Sequence, residues 1–368
     1  MSSSFAKEKS ILFIGLIALT SLGFYLMTSR SALQNNEVPV KDETTLHEET
    51  SVFSAGVQEF GKAVYNALRR EETKTVNEPE AVLEPLSIVV GVHAAHGYEV
   101  LEFESRTGTS VDIVAVHIHW GNERDFPSEL GRAVLDRGAT LMIFWNPMDY
   151  RVDTNGQSDF HYRNILNGDW DEYIDAFVSD VEGYRGNVII APLEEVNGEW
   201  VHWSGVGGAY GTREEYLATY RYLREKFLHV QNVTFAWVIN HVSVPDSDDN
   251  AITRYYPGDA YVDVIGINAF NFGTPWIGFD TLVRRVIQEL ILLEKPILIS
   301  STASAEGPLK PAWIEALFQS GYFRSGVLEG FLWFNENKEK NWLVWSDDAS
   351  EAMFASQIEK IEKRKRAF

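Results

Sequence analysis

At 368 residues the chain has room for one large domain plus extensions. Its 53 Asp and Glu against 32 Lys and Arg leave a formal charge of -21, which argues against nucleic acid or an anionic membrane surface as a partner, because both are bound through clustered Lys and Arg. The chain has no cysteine, which excludes a disulfide framework and a Cys-based zinc site.

Residues 10–27, SILFIGLIALTSLGFYLM, carry no charge and are long enough to span a bilayer. Arg30 interrupts the only small-residue cleavage pattern that follows, so the stretch is expected to be an uncleaved signal anchor. Lys7 and Lys9 precede it and an acidic stretch follows, which places residues 1–9 in the cytoplasm and the bulk of the chain outside. Residues 28–84 read as an acidic linker. Within it Val52, Phe53, Val57, Phe60, Val64 and Leu68 recur at helical spacing and predict an amphipathic helix over 52–68.

From residue 85 to the end the pattern is regular. Apolar runs rich in β-branched and aromatic residues occur at 87–93, 111–120, 140–147, 187–195, 232–240, 262–270, 296–303 and 330–335. Helical patterns at 127–137, 171–184, 213–230, 279–293 and 311–320, and a last one near 350–365, separate most of them. Eight continuous apolar runs alternating with helices predict a parallel (β/α)8 TIM barrel. An open doubly wound sheet competes, but no Gly-rich phosphate loop follows the first run.

In such a barrel the C-terminal strand ends build the site. Here those ends are polar and aromatic: His93, His117, His119 and Trp120, Trp145 and Asn146, Glu194 and Glu195, Trp237 and Asn240, Asn268 and Asn271, Ser301, Trp333 and Asn335. His117 and His119 could share a metal, yet spacing fixes no third ligand, so no metal and no cofactor is expected. No G-x-S-x-G nucleophile elbow is present. Carboxylate chemistry on a sugar is left, supported by an aromatic content of 13% with 11 tryptophans. Strand alternation turns Glu194 away from Glu195, so only Glu195 is expected to reach the chemistry.

The segment 164–205, with APLEEVNGEWVHW at its core, resembles the acid/base region of glycoside hydrolase family 26, the β-mannanases and related β-glycanases. YYPGDAYVDVIGINAFN (255–271), KPILISSTASAEG (295–307) followed by KPAWI (310–314), and FLWFNENKEKNW (331–342) match in the same order. The resemblance implies that Glu195 is the general acid/base, and Asn197, Gly198, Trp200, Asn271 and Trp333 fall on its pattern. Four positions depart: Ala191 stands for arginine, Glu194 for histidine, Phe270 for tyrosine and Ser301 for the nucleophile glutamate. An unactivated serine cannot replace that carboxylate. Glu306 and Glu336 are candidate substitutes.

The expectation is therefore a membrane-anchored barrel that acts on or binds a β-linked polysaccharide. Glu194, Asn197, Phe270, Asn271, His119 and an aromatic groove of Trp120, Trp145, Trp200, Trp203 and Trp333 would hold the glycan. A divergent glycanase, a pseudo-glycosidase that binds without cutting, and a protein docking a polysaccharide synthesis or export machine all stay open. The sequence specifies no protein partner.

Overall fold

Eight strands pair in parallel in chain order, and the eighth returns to the first. They are β1 (Leu86–His93), β2 (Ile113–His119), β3 (Thr140–Asn146), β4 (Val188–Pro192), β5 (Val233–Asn240), β6 (Val264–Asn271), β7 (Ile297–Ser304) and β8 (Gly330–Trp333). The result is the closed (β/α)8 barrel that the eight runs predict. The computed structural model describes residues 86–122 and 124–363. The expected anchor at 10–27, the linker and the 52–68 helix lie outside the described residues. Among the described residues no helix is long and apolar enough to cross a membrane.

The principal helices are α1 (Gly97–Thr107), α2 (Ser128–Leu135), α3 (Tyr162–Leu166), α4 (Asp171–Gly183), α5 (Arg213–Lys226), α6 (Phe279–Leu290), α7 (Lys310–Phe318), α8 (Gly321–Arg324) and α9 (Asp348–Ile358). The helical patterns leave out α1, whose mean character is polar. Its ends explain it: Glu99 Oε2 accepts from the His96 backbone N–H at 3.0 Å and Gly108 closes it in the left-handed conformation. The last pattern breaks early. α9 stops at Ile358, and β9 (Ile361–Lys363) pairs with the first residues of β1 outside the closed ring.

Alternation along the strands sorts the core into two layers. Val89, Ile113, Ala115, Met142, Phe144, Ile189, Ala191, Ala236, Val238, Val264, Leu298 and Leu332 fill the barrel interior. Their neighbours, including Trp145, Trp237 and Trp333, point outward into the strand–helix layer. A buried tryptophan there removes on the order of 200 Å² from water, so this layer carries much of the folding free energy.

β7 is irregular. Leu298 pairs with Gly266 and Ser301 with Asn268, so β7 carries one residue more than β6 over this stretch, and the same excess faces β8. Such a bulge re-aims side chains next to a site. Gly266 makes room for it, because a Cβ there would stand 2.7 Å from Ser300 Oγ and 2.7 Å from Val238. Gly266→Ala is expected to cost about 1–3 kcal/mol, measured by urea unfolding of the full chain; unchanged stability would contradict this packing.

Candidate active site

The inward series of each strand ends at the C-terminal mouth. On β2 it runs Ile113, Ala115, His117, His119; on β3, Met142, Phe144, Asn146; on β6, Gly266, Asn268. These polar ends cap the apolar interior, and Phe144 stacks beneath His117 with ring centroids 4.7 Å apart.

β4 behaves differently. Its regular part ends at Pro192, and Leu193 and Glu195 both take the left-handed conformation, with φ of 54° and 57°. Alternation applies only to extended backbone, so the expectation that Glu194 turns away fails here. Leu193 packs into the outer core, and both glutamates face the mouth. Two non-glycine residues in this region are a local strain of the kind that positions functional groups. The backbone is tied down by the Glu195 N–H, which donates to Val238 O at 2.9 Å, and by Trp203 Nε1, which donates to Glu194 O at 2.7 Å.

Asn268 joins the carboxylates. Its Nδ2 donates to Glu194 Oε2 at 3.0 Å and to Glu195 Oε1 at 2.9 Å, while its Oδ1 accepts from Ser300 Oγ at 2.8 Å. Glu194 Oε1 also accepts from Asn146 Nδ2 at 3.0 Å and pairs with His117 Nε2 at 3.1 Å. Glu195 Oε2 accepts from Trp200 Nε1 at 2.6 Å. Trp200 can lie over the turn because residue 198 is glycine; a Cβ there would come within 2.4 Å of its ring.

These surroundings separate the two acids. Burial and the adjacent Glu194 charge push Glu195 up to about 7, against the bonds from Asn268 and Trp200. Burial also opposes ionisation of Glu194, but His117, Asn146 and Asn268 outweigh it and hold its carboxyl below the usual range. His117 is itself raised: burial disfavours its charge, and Glu194 more than compensates. His93, deeper in the barrel, is lowered to about 3 by burial and by His117, and its Nε2 donates to Ser300 O at 3.0 Å. Near neutrality the mouth thus holds one proton-bearing carboxyl beside one carboxylate.

The expected sugar-binding residues divide. Trp200 is 52% exposed beside Glu195. Trp120, Trp145, Trp203 and Trp333 form no open groove: all four are buried in the outer core. Trp145 and Trp333 sit on outward strand positions, Trp145 Nε1 donates to Tyr173 Oη at 2.8 Å, and Trp333 Nε1 donates to Trp342 O at 2.9 Å. Asn197 is also a brace, exchanging two hydrogen bonds of 2.9 Å with the Asn240 backbone and so continuing the β4–β5 ladder. Asn271 bonds Ser304 Oγ and the backbone of the following loop. His119 is half-buried against Tyr150, and Phe270 half-buried against Phe334 and Trp342. Ser301 lies buried opposite Asn268 on β7. Glu306 is a solvent-facing carboxylate bonded by Asn341 at 3.2 Å, not a member of the cluster. Among the described residues no group of acids and histidines could hold a metal.

Asn146, His117 and Asn268, polar strand ends in the sequence, complete the cluster as its hydrogen-bonding members, and inward parity is the signal that marks them. The exposed rings of Tyr150 and Phe272 follow the ends of β3 and β6.

A parallel barrel whose mouth keeps one carboxyl protonated beside an ionised one belongs by layout with the glycosidase-type barrels. The model of glycosyl hydrolase family 26 matches residues 89–356, and the chain belongs to that family. It is 31% identical over 264 residues to Endoglucanase H of Acetivibrio thermocellus, covering 70% of this chain and 28% of that protein. It is 31% identical over 182 residues to a mannan endo-1,4-beta-mannosidase of Bacillus subtilis, covering 48% of this chain and 43% of that one. The chain thus spans less than half the length of these relatives. Among solved structures, a modular endo-beta-1,4-mannanase from Cellulomonas fimi superposes with a TM-score of 0.57 at 18% identity, over 74% of this chain and 70% of that one, which is a likeness of fold.

Trp200→Phe removes the N–H that favours ionised Glu195, so the Glu195 carboxyl is expected to titrate above its present value of about 7. Carboxyl carbon NMR reads this directly; a fall would contradict the assigned hydrogen bond.

Proposed function

We propose that this chain engages a β-linked polysaccharide at the barrel mouth, with Glu195 as the proton donor to the glycosidic oxygen. The observation that carries this reading is the half-buried Glu195 at the mouth, bonded by Asn268 and by the exposed Trp200 and set beside Glu194, where burial and the Glu194 charge raise its carboxyl. Glycoside cleavage needs such an acid, since the leaving alkoxide must be protonated as the bond breaks. Trp200 supplies a flat face for a sugar ring, and Tyr150 and Phe272 offer further exposed rings on the same mouth. The names of the relatives, an endoglucanase and mannan endo-1,4-beta-mannosidases, support β-linked glucan or mannan as the substrate class.

A second reading, binding without cleavage, is favoured by Ser301 at the position where the resemblance places the nucleophile. Both readings accept a membrane-anchored protein with its barrel outside the cytoplasm, as the charge-free stretch 10–27 suggests.

The test is reducing-end release from β-mannan, mixed-linkage β-glucan and β-1,3-xylan, with oligosaccharide binding followed by calorimetry. Glu195→Gln is expected to lower turnover on the order of 10²–10⁴-fold and to leave binding nearly intact. Trp200→Ala is expected to weaken binding up to about tenfold. Turnover should fall as pH rises through about 7, where Glu195 loses its proton. Absence of binding to all three glycans would refute the reading.

A further inference from the structure

Glu194 is unexplained by a role in holding Glu195 alone. It is 7% exposed, charged, and furnished with three donors, which is a costly arrangement for a residue that only fills space. Its two oxygens are not equivalent. A carboxylate oxygen has two lone-pair sites, and Oε1 uses both on Asn146 and His117, while Oε2 uses one on Asn268. Oε2 therefore keeps one lone-pair site outside these hydrogen bonds.

Asn268 fixes the spacing as well. The two N–H bonds of a primary amide diverge by about 120°, so acceptors at 3.0 and 2.9 Å from Nδ2 stand about 5 Å apart, each on its own hydrogen. Retaining glycosidases hold their two carboxyls about 5–5.5 Å apart, whereas inverting ones need roughly 6.5–9.5 Å to admit a water. The two oxygens that share Nδ2 thus stand at a spacing that matches the retaining arrangement.

We propose that Glu194 is the nucleophile of this site, a carboxylate at the end of β4 standing in for the one that β7 lacks at Ser301. This rests on the glycosidic reading of the mouth. In the first step Oε2 bonds to the anomeric carbon, the glycosidic C–O bond breaks, and the Glu195 proton passes to the leaving oxygen. In the second, water gives its proton to Glu195 and attacks the same carbon, releasing Glu194 as a carboxylate and the sugar with its configuration retained. Ser301 fits this scheme: a glutamate there, opposite Asn268, would add a third carboxyl to a pocket with one imidazole to balance it. The charged group that acts directly on both acids is His117 on β2; His93 on β1 feels Glu194, and Glu336 and Lys338 beyond β8 act on His117.

The experiment is azide rescue of the full chain with dinitrophenyl β-cellobioside and β-mannobioside, whose leaving group needs no acid. Glu194→Ala is expected to lower turnover on the order of 10⁴-fold or more and, with azide, to give the α-glycosyl azide, because azide enters from the vacated nucleophile side. Glu195→Ala should give the β-azide, since azide then attacks the glycosyl-enzyme. Ser301→Glu should lower activity. Glu194→Gln, nearly isosteric, should reproduce the loss with normal circular dichroism and unchanged oligosaccharide binding. The proposal is overturned if Glu194→Ala keeps turnover or gives β-azide, if the natural chain is inert, or if Ser301→Glu gains activity. An inert natural chain that still binds β-linked oligosaccharide overturns this proposal and leaves the glycan reading standing; loss of both overturns both.

Discussion

One side-chain amide organises the mouth of this barrel. Asn268 donates both of its N–H groups to carboxylates, Glu194 and Glu195, and accepts from Ser300 on the neighbouring strand. Because the ionised Glu194 only accepts and Ser300 Oγ donates to Oδ1, the orientation of the amide follows from its partners. The two acids are thereby held at a fixed spacing with a shared donor, where unassisted they would repel. The β7 bulge and Gly266 exist in the same frame, since Ser300 must approach Asn268 Oδ1 for the amide to stay in place.

The rest of the molecule keeps that frame stiff. Four of the tryptophans expected in a groove lie in the outer core, and they serve rigidity more directly than recognition: Trp203 pins the Glu194 carbonyl, and Trp333 holds the loop after β8 through Trp342. Lys310 adds to this, buried with its ammonium on the carbonyl of Leu343 and the hydroxyl of Ser346. A site whose acids differ in protonation depends on fixed dipoles, because mobile ones would relax the difference away. The exposed rings at the mouth are by contrast few, and they stand on loops that follow strand ends.

Much of the architecture is legible in the chain. The eight apolar runs mark the strands within a few residues because parallel strands buried on both faces must be continuously apolar. α1 is not legible by periodicity, since its stability comes from caps and from three buried residues, Val100, Phe103 and Thr107. β9 is hidden for a related reason: three residues carry no pattern. Glu195 is readable from its motif. Glu194 is not readable by alternation, because the backbone past Pro192 is no longer extended and no sequence rule announces left-handed Leu193. An aromatic residue at a strand end does not by itself face the mouth: parity counted from the apolar interior assigns Trp145 and Trp333 outward.

The central claim is that Glu194 and Glu195 form one electrostatic unit in which the first stays ionised so that the second stays protonated. Carbon NMR of carboxyl-labelled glutamate, followed over pH in the natural chain and in Glu194→Gln, measures it without reference to any substrate. The expected result is a Glu195 carboxyl titrating near 7 that moves down towards the ordinary carboxylate range when the Glu194 charge is removed. A Glu195 that titrates as an ordinary carboxylate in the natural chain, or that is indifferent to Glu194→Gln, would contradict the account.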